Sequence, residues 1–293
     1  MDFNLFVETI VNLLREKMGA EYEIKVTHVI KNNDIRLTGI IMMRPTDKIS
    51  PTIYLEEAYG ACCEGKDMQE IADRIVALYR AQMRDIRLDM NFFCDFTYVK
   101  DRIFHKLINY EKNRELLEDV PHLRWCDLAV VFYYSLEEKS FGRASILIHN
   151  NHMNMWGQNV DILYRIAQYN TKSILQEILI PMRDLIRAMT GTETNGQGQN
   201  GLYVLTNREK LYGASALLYS EKIKELAQDL QSDLLILPSS VHEVLLLADD
   251  RDYEFYRHMV EEVNATQVEP EEILSCNLYR YCRKKAEIEE IIV

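Results

Sequence analysis

Positive charge is what this chain is short of: 34 Lys and Arg stand against 46 Asp and Glu, a formal net charge of −12 at pH 7. General DNA or RNA binding needs a surplus of basic side chains facing the phosphate backbone, so it is not expected. The basic cluster Arg283-Lys284-Lys285 runs straight into Glu287, Glu289 and Glu290, and opposite charges that close read as a solvated helix face. Long apolar runs are also missing. No window approaches the roughly 18 to 20 apolar residues of a membrane span, and the most apolar stretch is cut by Pro238, His242 and Glu243. Asp2, Asn4 and Glu8 interrupt the N-terminal segment, so no secretory signal is read there. The expectation is a soluble, cytoplasmic protein with no membrane partner.

Paired cysteine motifs are absent as well. The six cysteines, at 62, 63, 94, 126, 276 and 282, are irregularly spaced, with no Cys-x-x-Cys. A disulfide framework, zinc ribbon or thioredoxin-type site is therefore not expected, and no cofactor is assigned. There is no phosphate loop, no His-Glu-x-x-His and no Gly-x-Ser-x-Gly elbow. The Gly-rich run from Thr190 to Gly201 lacks the Gly-Lys-Ser/Thr ending that cradles phosphate and reads as a flexible hairpin or linking loop.

What is present supports a substantial core, since 47% of 293 residues are hydrophobic. Phe3, Phe6, Val7, Ile10, Leu14 and Met18 recur at helical spacing before Gly19, which predicts an opening amphipathic helix. Strands are predicted at Tyr22 to Ile30, Ile35 to Met43 and Pro51 to Tyr59, with Asn32-Asn33-Asp34 as a turn. Asp67 and Glu70 cap a second helix carrying Ile71, Ile75, Leu78 and Tyr79. A helix is predicted from Phe96 to Leu117, a strand pair at Leu128 to Tyr134 and Ala144 to Ile148, and a helix from Val160 to Ala167 capped by Asn159. Strands are predicted again at Leu202 to Leu205 and Leu211 to Tyr219, a helix at Glu221 to Leu230 and a strand at Leu234 to Leu237. Recurring strand-strand-helix units of this kind give an α+β class with mostly antiparallel sheets. A soft break near residues 85 to 95 divides an N-terminal portion, 1–90, from a C-terminal portion, 91–293, which together could also form one continuous domain.

The stretch Leu234-Leu-Ile-Leu-Pro-Ser-Ser-Val-His-Glu-Val-Leu-Leu-Leu247 is the most informative, because a polar insert separates two apolar segments. Ser240 and Glu243 have capping-box spacing, so the structural reading is a strand ending at Leu237 and a short helical turn. The chemical reading makes Ser240 a nucleophile and His242 its base, with Glu243 beside them, but no elbow presents the serine. His149 and His152 are candidate metal ligands within His149-Asn-Asn-His152. Tyr212, Gly213 and Ser215 form a ligand-binding candidate, since the small residues Gly213, Ala214 and Ser215 permit close approach by a backbone or a ligand. Tyr133, Tyr134, Tyr164, Tyr169, Tyr253 and Tyr256 are candidate anchors for a protein partner.

Several of these segments carry a resemblance. Ile53-Tyr-Leu-Glu-Glu-Ala-Tyr59, Lys106-Leu-Ile-Asn109 with Asn113 and Leu117, Asp127-Leu-Ala-Val-Val131, Met155-Trp-Gly157 with Asn170, and Tyr212-Gly-Ala-Ser215 with Leu237 to Glu243 resemble the domain-of-unknown-function family five-six-eight-eight, found mainly in Clostridia-type bacteria. The resemblance implies a cytoplasmic bacterial source and one continuous domain, and it implies no reaction. The expected function is non-catalytic binding of a protein partner with a basic surface, regulatory or inhibitory in effect. The alternative is a hydrolase or small-ligand-binding enzyme built on Tyr212 to Ser215 and Ser240 to Glu243; convergence of those motifs beside an exposed His242 would favour it.

Overall fold

Asp2 accepts the Leu5 amide at 3.0 Å and starts α1 (Phe3–Met18), whose face of Phe6, Ile10, Val11, Leu14 and Met18 is buried; Gly19, at φ +88°, ends it. The computed structural model describes residues 1–47, 50–85, 93–138, 142–190 and 201–292. It divides into a first unit of Met1–Lys31, Ile35–Phe93 and Glu137–Ala144, and a second of Asn32–Asp34, Cys94–Leu136 and Ser145–Val293.

In the first unit β1 (Glu23–Ile30), β2 (Arg36–Met43) and β3 (Thr52–Tyr54) form an antiparallel sheet in the order β1-β2-β3. Ile24, Ile40, Met42 and Ile53 pack with the α1 face and with Ile71, Ile75, Val76 and Tyr79 of α3 (Met68–Asp85). Asp67 caps α3 as predicted, accepting the amides of Gln69 and Glu70. The third strand is shorter than predicted: after Tyr54 the chain turns into α2 (Glu56–Cys63), so Tyr59 is helical.

The second unit holds two antiparallel sheets. One contains β4 (Ile103–Asn109), β5 (His122–Trp125), β6 (Leu128–Glu138) and β7 (Gly142–Leu147), with β6 pairing the other three. Here the predicted helix from Phe96 to Leu117 is corrected. α-Helix survives only in α4 (Phe96–Val99), with short 3-10 turns at Lys100–Arg102, Glu111–Asn113 and Leu116–Glu118, and β4 takes the middle of the apolar stripe. Six of the seven β4 residues are buried, so the strand lacks the alternation that marks a one-sided sheet, and Val99, Ile103 and Leu107 fall at helical spacing by coincidence. Two helices follow, α5 (Asn150–Trp156) and α6 (Val160–Asn170), the latter capped by Asn159 as predicted.

The second sheet runs β13-β12-β10-β11-β9-β8, every pair antiparallel. Its members are β8 (Glu177–Pro181), β9 (Tyr203–Asn207), β10 (Leu234–Ser240), β11 (Glu243–Ala248), β12 (Leu278–Cys282) and β13 (Glu287–Ile291). The chain also forms α7 (Met182–Thr190), α8 (Lys222–Asp229) and α9 (Tyr253–Thr266); Val260 of α9 packs on Leu235, Leu237 and Leu278. The charge-rich run after Cys282 is the β12–β13 hairpin rather than a helix, with Ala286 at φ +55° in its turn. The predicted strand from Leu211 to Tyr219 is instead a tight helical turn, Gly213–Leu218. With that strand gone, the third of the expected strand-strand-helix units loses a strand, while the α+β class with antiparallel sheets stands. The Gly-rich run lies largely outside the described residues. No described helix is long and apolar enough to cross a membrane.

Candidate functional site

The two motifs singled out in the sequence meet in the second unit. β10 runs past Leu237 and through Pro238, which lacks an N–H and sits where the register with β11 shifts, to Ser240; Val241 and His242 turn the chain into β11. The predicted helical cap is therefore a hairpin turn. Ser240 still satisfies a backbone donor, its Oγ accepting the His242 amide at 3.0 Å.

Asn207 builds the facing loop: its Oδ1 accepts the amides of Glu209 and Leu211 and its Nδ2 donates to the Leu211 carbonyl. Tyr212 then adopts the left-handed region, φ 54° and ψ 31°. Gly213 follows, where a Cβ would lie 2.5 Å from the His242 carbonyl oxygen and 2.7 Å from the Asn207 amide, and would also strike Thr206 Oγ1. The small trio thus does permit close approach, to the β10–β11 turn. Thr206 Oγ1 donates to the His242 carbonyl at 2.8 Å and the Ala214 amide to the Val241 carbonyl at 3.3 Å, while buried Ser215 donates to the Tyr212 carbonyl.

His242 is 25% exposed, yet its ring is fully engaged. The Tyr212 amide donates to Nδ1 at 3.1 Å, which assigns the hydrogen to Nε2, and Nε2 faces Glu272 Oε1 at 3.3 Å. The ring stacks on Tyr212 at 5.5 Å and 14°. A general base needs a free lone pair within reach of the proton it takes. Here both nitrogens are used, and Ser240 Oγ bonds the backbone of His242 instead of its ring. Ser240, His242 and Glu243 are close in space without forming a relay.

The His149–His152 pair has a structural role. His149 precedes α5; its Nδ1 lies 2.9 Å from Asp119 Oδ2, and its amide donates to His152 Nδ1 at 3.1 Å. Burial, then the neighbouring His149, lowers the His152 pKa. No group of three or more His, Cys, Asp or Glu is poised to hold a metal among the described residues. None of the six cysteines is in a disulfide.

The tyrosine candidates separate. Tyr133 and Tyr134 are core residues and Tyr169 is exposed, while Tyr253 and Tyr256 lie on α9 beside the acidic loop Asp249-Asp250-Arg251-Asp252. Tyr253 donates to Asp249 at 3.0 Å and Tyr256 to Asp250 at 3.1 Å, and burial, followed by those carboxylates, raises both phenol pKa values. Asp249 is also tied to Arg280, which reaches Asp233 at 2.6 Å and Glu289 at 3.5 Å. Asp250, Asp252, Glu254 and Phe255 are left facing solvent, Phe255 at 58% exposure.

Two features escaped the sequence reading. Asp127 accepts from Ser275 at 2.6 Å, Asn277 at 3.3 Å and Tyr279 at 2.5 Å, joining residues some 150 positions apart, a separation no local pattern reveals. In the first unit a cavity of about 290 Å³ opens between α2 and α3, over Ala58, Ala61, Ile71, Ile75 and Leu78, with the exposed Arg74–Glu57 pair on its rim. The small residues Ala58 and Ala61, three apart on α2, were its available signal.

A family model described as a family of unknown function (DUF5688) matches residues 3–283, in agreement with the resemblance read from the motifs. No curated protein matches the chain, and no solved structure does.

Proposed function

We propose, for a chain that belongs to the family of unknown function DUF5688 and inherits no reaction from it, that it is a non-catalytic cytoplasmic bacterial protein that binds a basic partner protein. The observation that carries this reading is the α9 face. From Asp249 to Glu262 six carboxylates stand against two arginines, one of them paired, Arg257 with Glu261 at 3.3 Å. Exposed Asp250, Asp252 and Glu254 lead into exposed Phe255, and Tyr253 and Tyr256 hydrogen-bond to Asp249 and Asp250, which ties the start of α9 to the preceding acidic loop. An aromatic anchor within a charged rim is the composition of a protein-binding patch. The engaged ring of His242 weighs against the hydrolase alternative.

Complementary charge speeds encounter and weakens with salt. Capture from the native host, followed by a salt series on the strongest protein hit, should show binding that falls as ionic strength rises through about 0.1 M, where the Debye length is about 10 Å. Duplex DNA should not compete. Recovery only of partners whose binding ignores salt would overturn the reading.

A further inference from the structure

Lys106 is the one residue of β4 that is not buried, and its half-buried ammonium has no carboxylate partner among the described residues of a chain with 46 acids. A cation drawn partly out of water is costly unless paired. Its described contact is the Tyr212 ring, with Nζ 4.3 Å from the centroid, and a π face occupies only one side of an ammonium, leaving N–H donors free. Tyr212 OH lies 3.5 Å from Ser145 Oγ, so a second hydroxyl stands at the edge of the ring whose face Lys106 covers.

The ring is held there at a backbone cost. Tyr212 has φ 54°, sparsely populated for an aromatic residue, and is kept there by the hydrogen bond its backbone N–H donates to His242 Nδ1 and by the buried Gly213 turn. Tyr133 meets it edge-on at 5.0 Å and His242 stacks at 5.5 Å. Such strain persists where the surroundings over-determine a position.

We propose that Lys106, Tyr212 and Ser145 bind a carboxylate. One ammonium neutralises one negative charge, and two hydroxyls can donate to the two oxygens of a planar carboxylate. A dianionic phosphate would bring a second charge that the single ammonium leaves uncompensated. The carboxylate belongs either to a small molecule or to an acidic peptide.

Titration of the full chain at fixed ionic strength, followed by calorimetry and NMR, tests this with acetate, benzoate, inorganic phosphate and a short glutamate-rich peptide. Saturable binding of at least one carboxylate probe is expected, tighter than phosphate. It should weaken about tenfold or more in Lys106→Met and about threefold in Tyr212→Phe, as expected for losing a charged and a neutral hydrogen bond. Binding of acetate or benzoate assigns a small-molecule ligand, and binding of the peptide alone assigns a peptide. Should Lys106→Met fail to fold, Ser145→Ala, at an exposed position, reads the same site and should weaken binding about threefold. No saturable carboxylate binding by the wild type, tighter binding of phosphate, or unchanged affinity in the folded variants would overturn the proposal.

Discussion

His105 is fully buried on β4, and neither ring nitrogen has a hydrogen-bond partner among the described residues; the hydroxyl of buried Tyr219, whose ring lies 5.9 Å away, is likewise unpartnered. Burial holds the imidazole neutral, lowering its pKa from 6.5 to about 4. The unfolded chain therefore takes up a proton first as pH falls, and the fold loses stability between about pH 6.5 and pH 4. At about 1.4 kcal/mol per pKa unit, the full loss is about 3 kcal/mol. In His105→Phe that component vanishes. Near pH 7, replacing an unpaired polar ring by an apolar one of similar size should leave stability within about 1 kcal/mol of wild type or raise it. Urea unfolding of both proteins at pH 7, 6, 5 and 4.5 gives the difference directly, since other titrating groups are common to both. A stability gap that does not change with pH would refute the reasoning, as would a large loss at pH 7, which would mean that the ring is satisfied and needed.

Three further outcomes follow from the second unit and the thiols. Gly213→Ala should cost about 3 kcal/mol in chemical denaturation, because the new methyl meets backbone atoms of Asn207 and His242 that cannot rotate away; an unchanged midpoint would contradict the close approach. Ser240→Ala should cost only about 1 kcal/mol, the worth of its bond to the His242 amide, and partner binding should persist in the folded variant. Thiol titration after denaturation should find all six cysteines free, and elemental analysis should find no stoichiometric zinc or iron; one tightly held metal per chain would reopen the His149–His152 question.

Elements with a single buried face were legible in the sequence, since one-sided burial writes its period into the residues. The α1 stripe is of this kind, while the Asp67 and Asn159 caps were legible from local spacing and the β1–β2 hairpin from its β-branched runs and the Asn32-Asn33-Asp34 turn. β4 was misread because burial of both faces erases the alternation. The Leu211 to Tyr219 segment was misread because its small residues serve a tight turn whose shape is set by Asn207, several residues upstream. At the candidate site, the proximity of Tyr212 to Ser215 and Ser240 to His242 could be suspected, but the orientation of the His242 ring could not. That orientation rests on Glu272 and on the Tyr212 amide, contacts made only once the chain has folded.

Whether the protein works through its α9 face or through the Ser240 hairpin is decided by comparing two variants against the captured partner. The first, Asp252→Asn with Glu254→Gln and Phe255→Ser, alters three solvent-facing positions and should leave the fold intact. The second is Ser240→Ala. Measured at low salt by surface plasmon resonance, the face variant should bind at least about tenfold more weakly, chiefly through slower association and the lost Phe255 anchor, while Ser240→Ala binds as the wild type does. Full binding by the face variant together with lost binding in a folded Ser240→Ala protein would contradict the account.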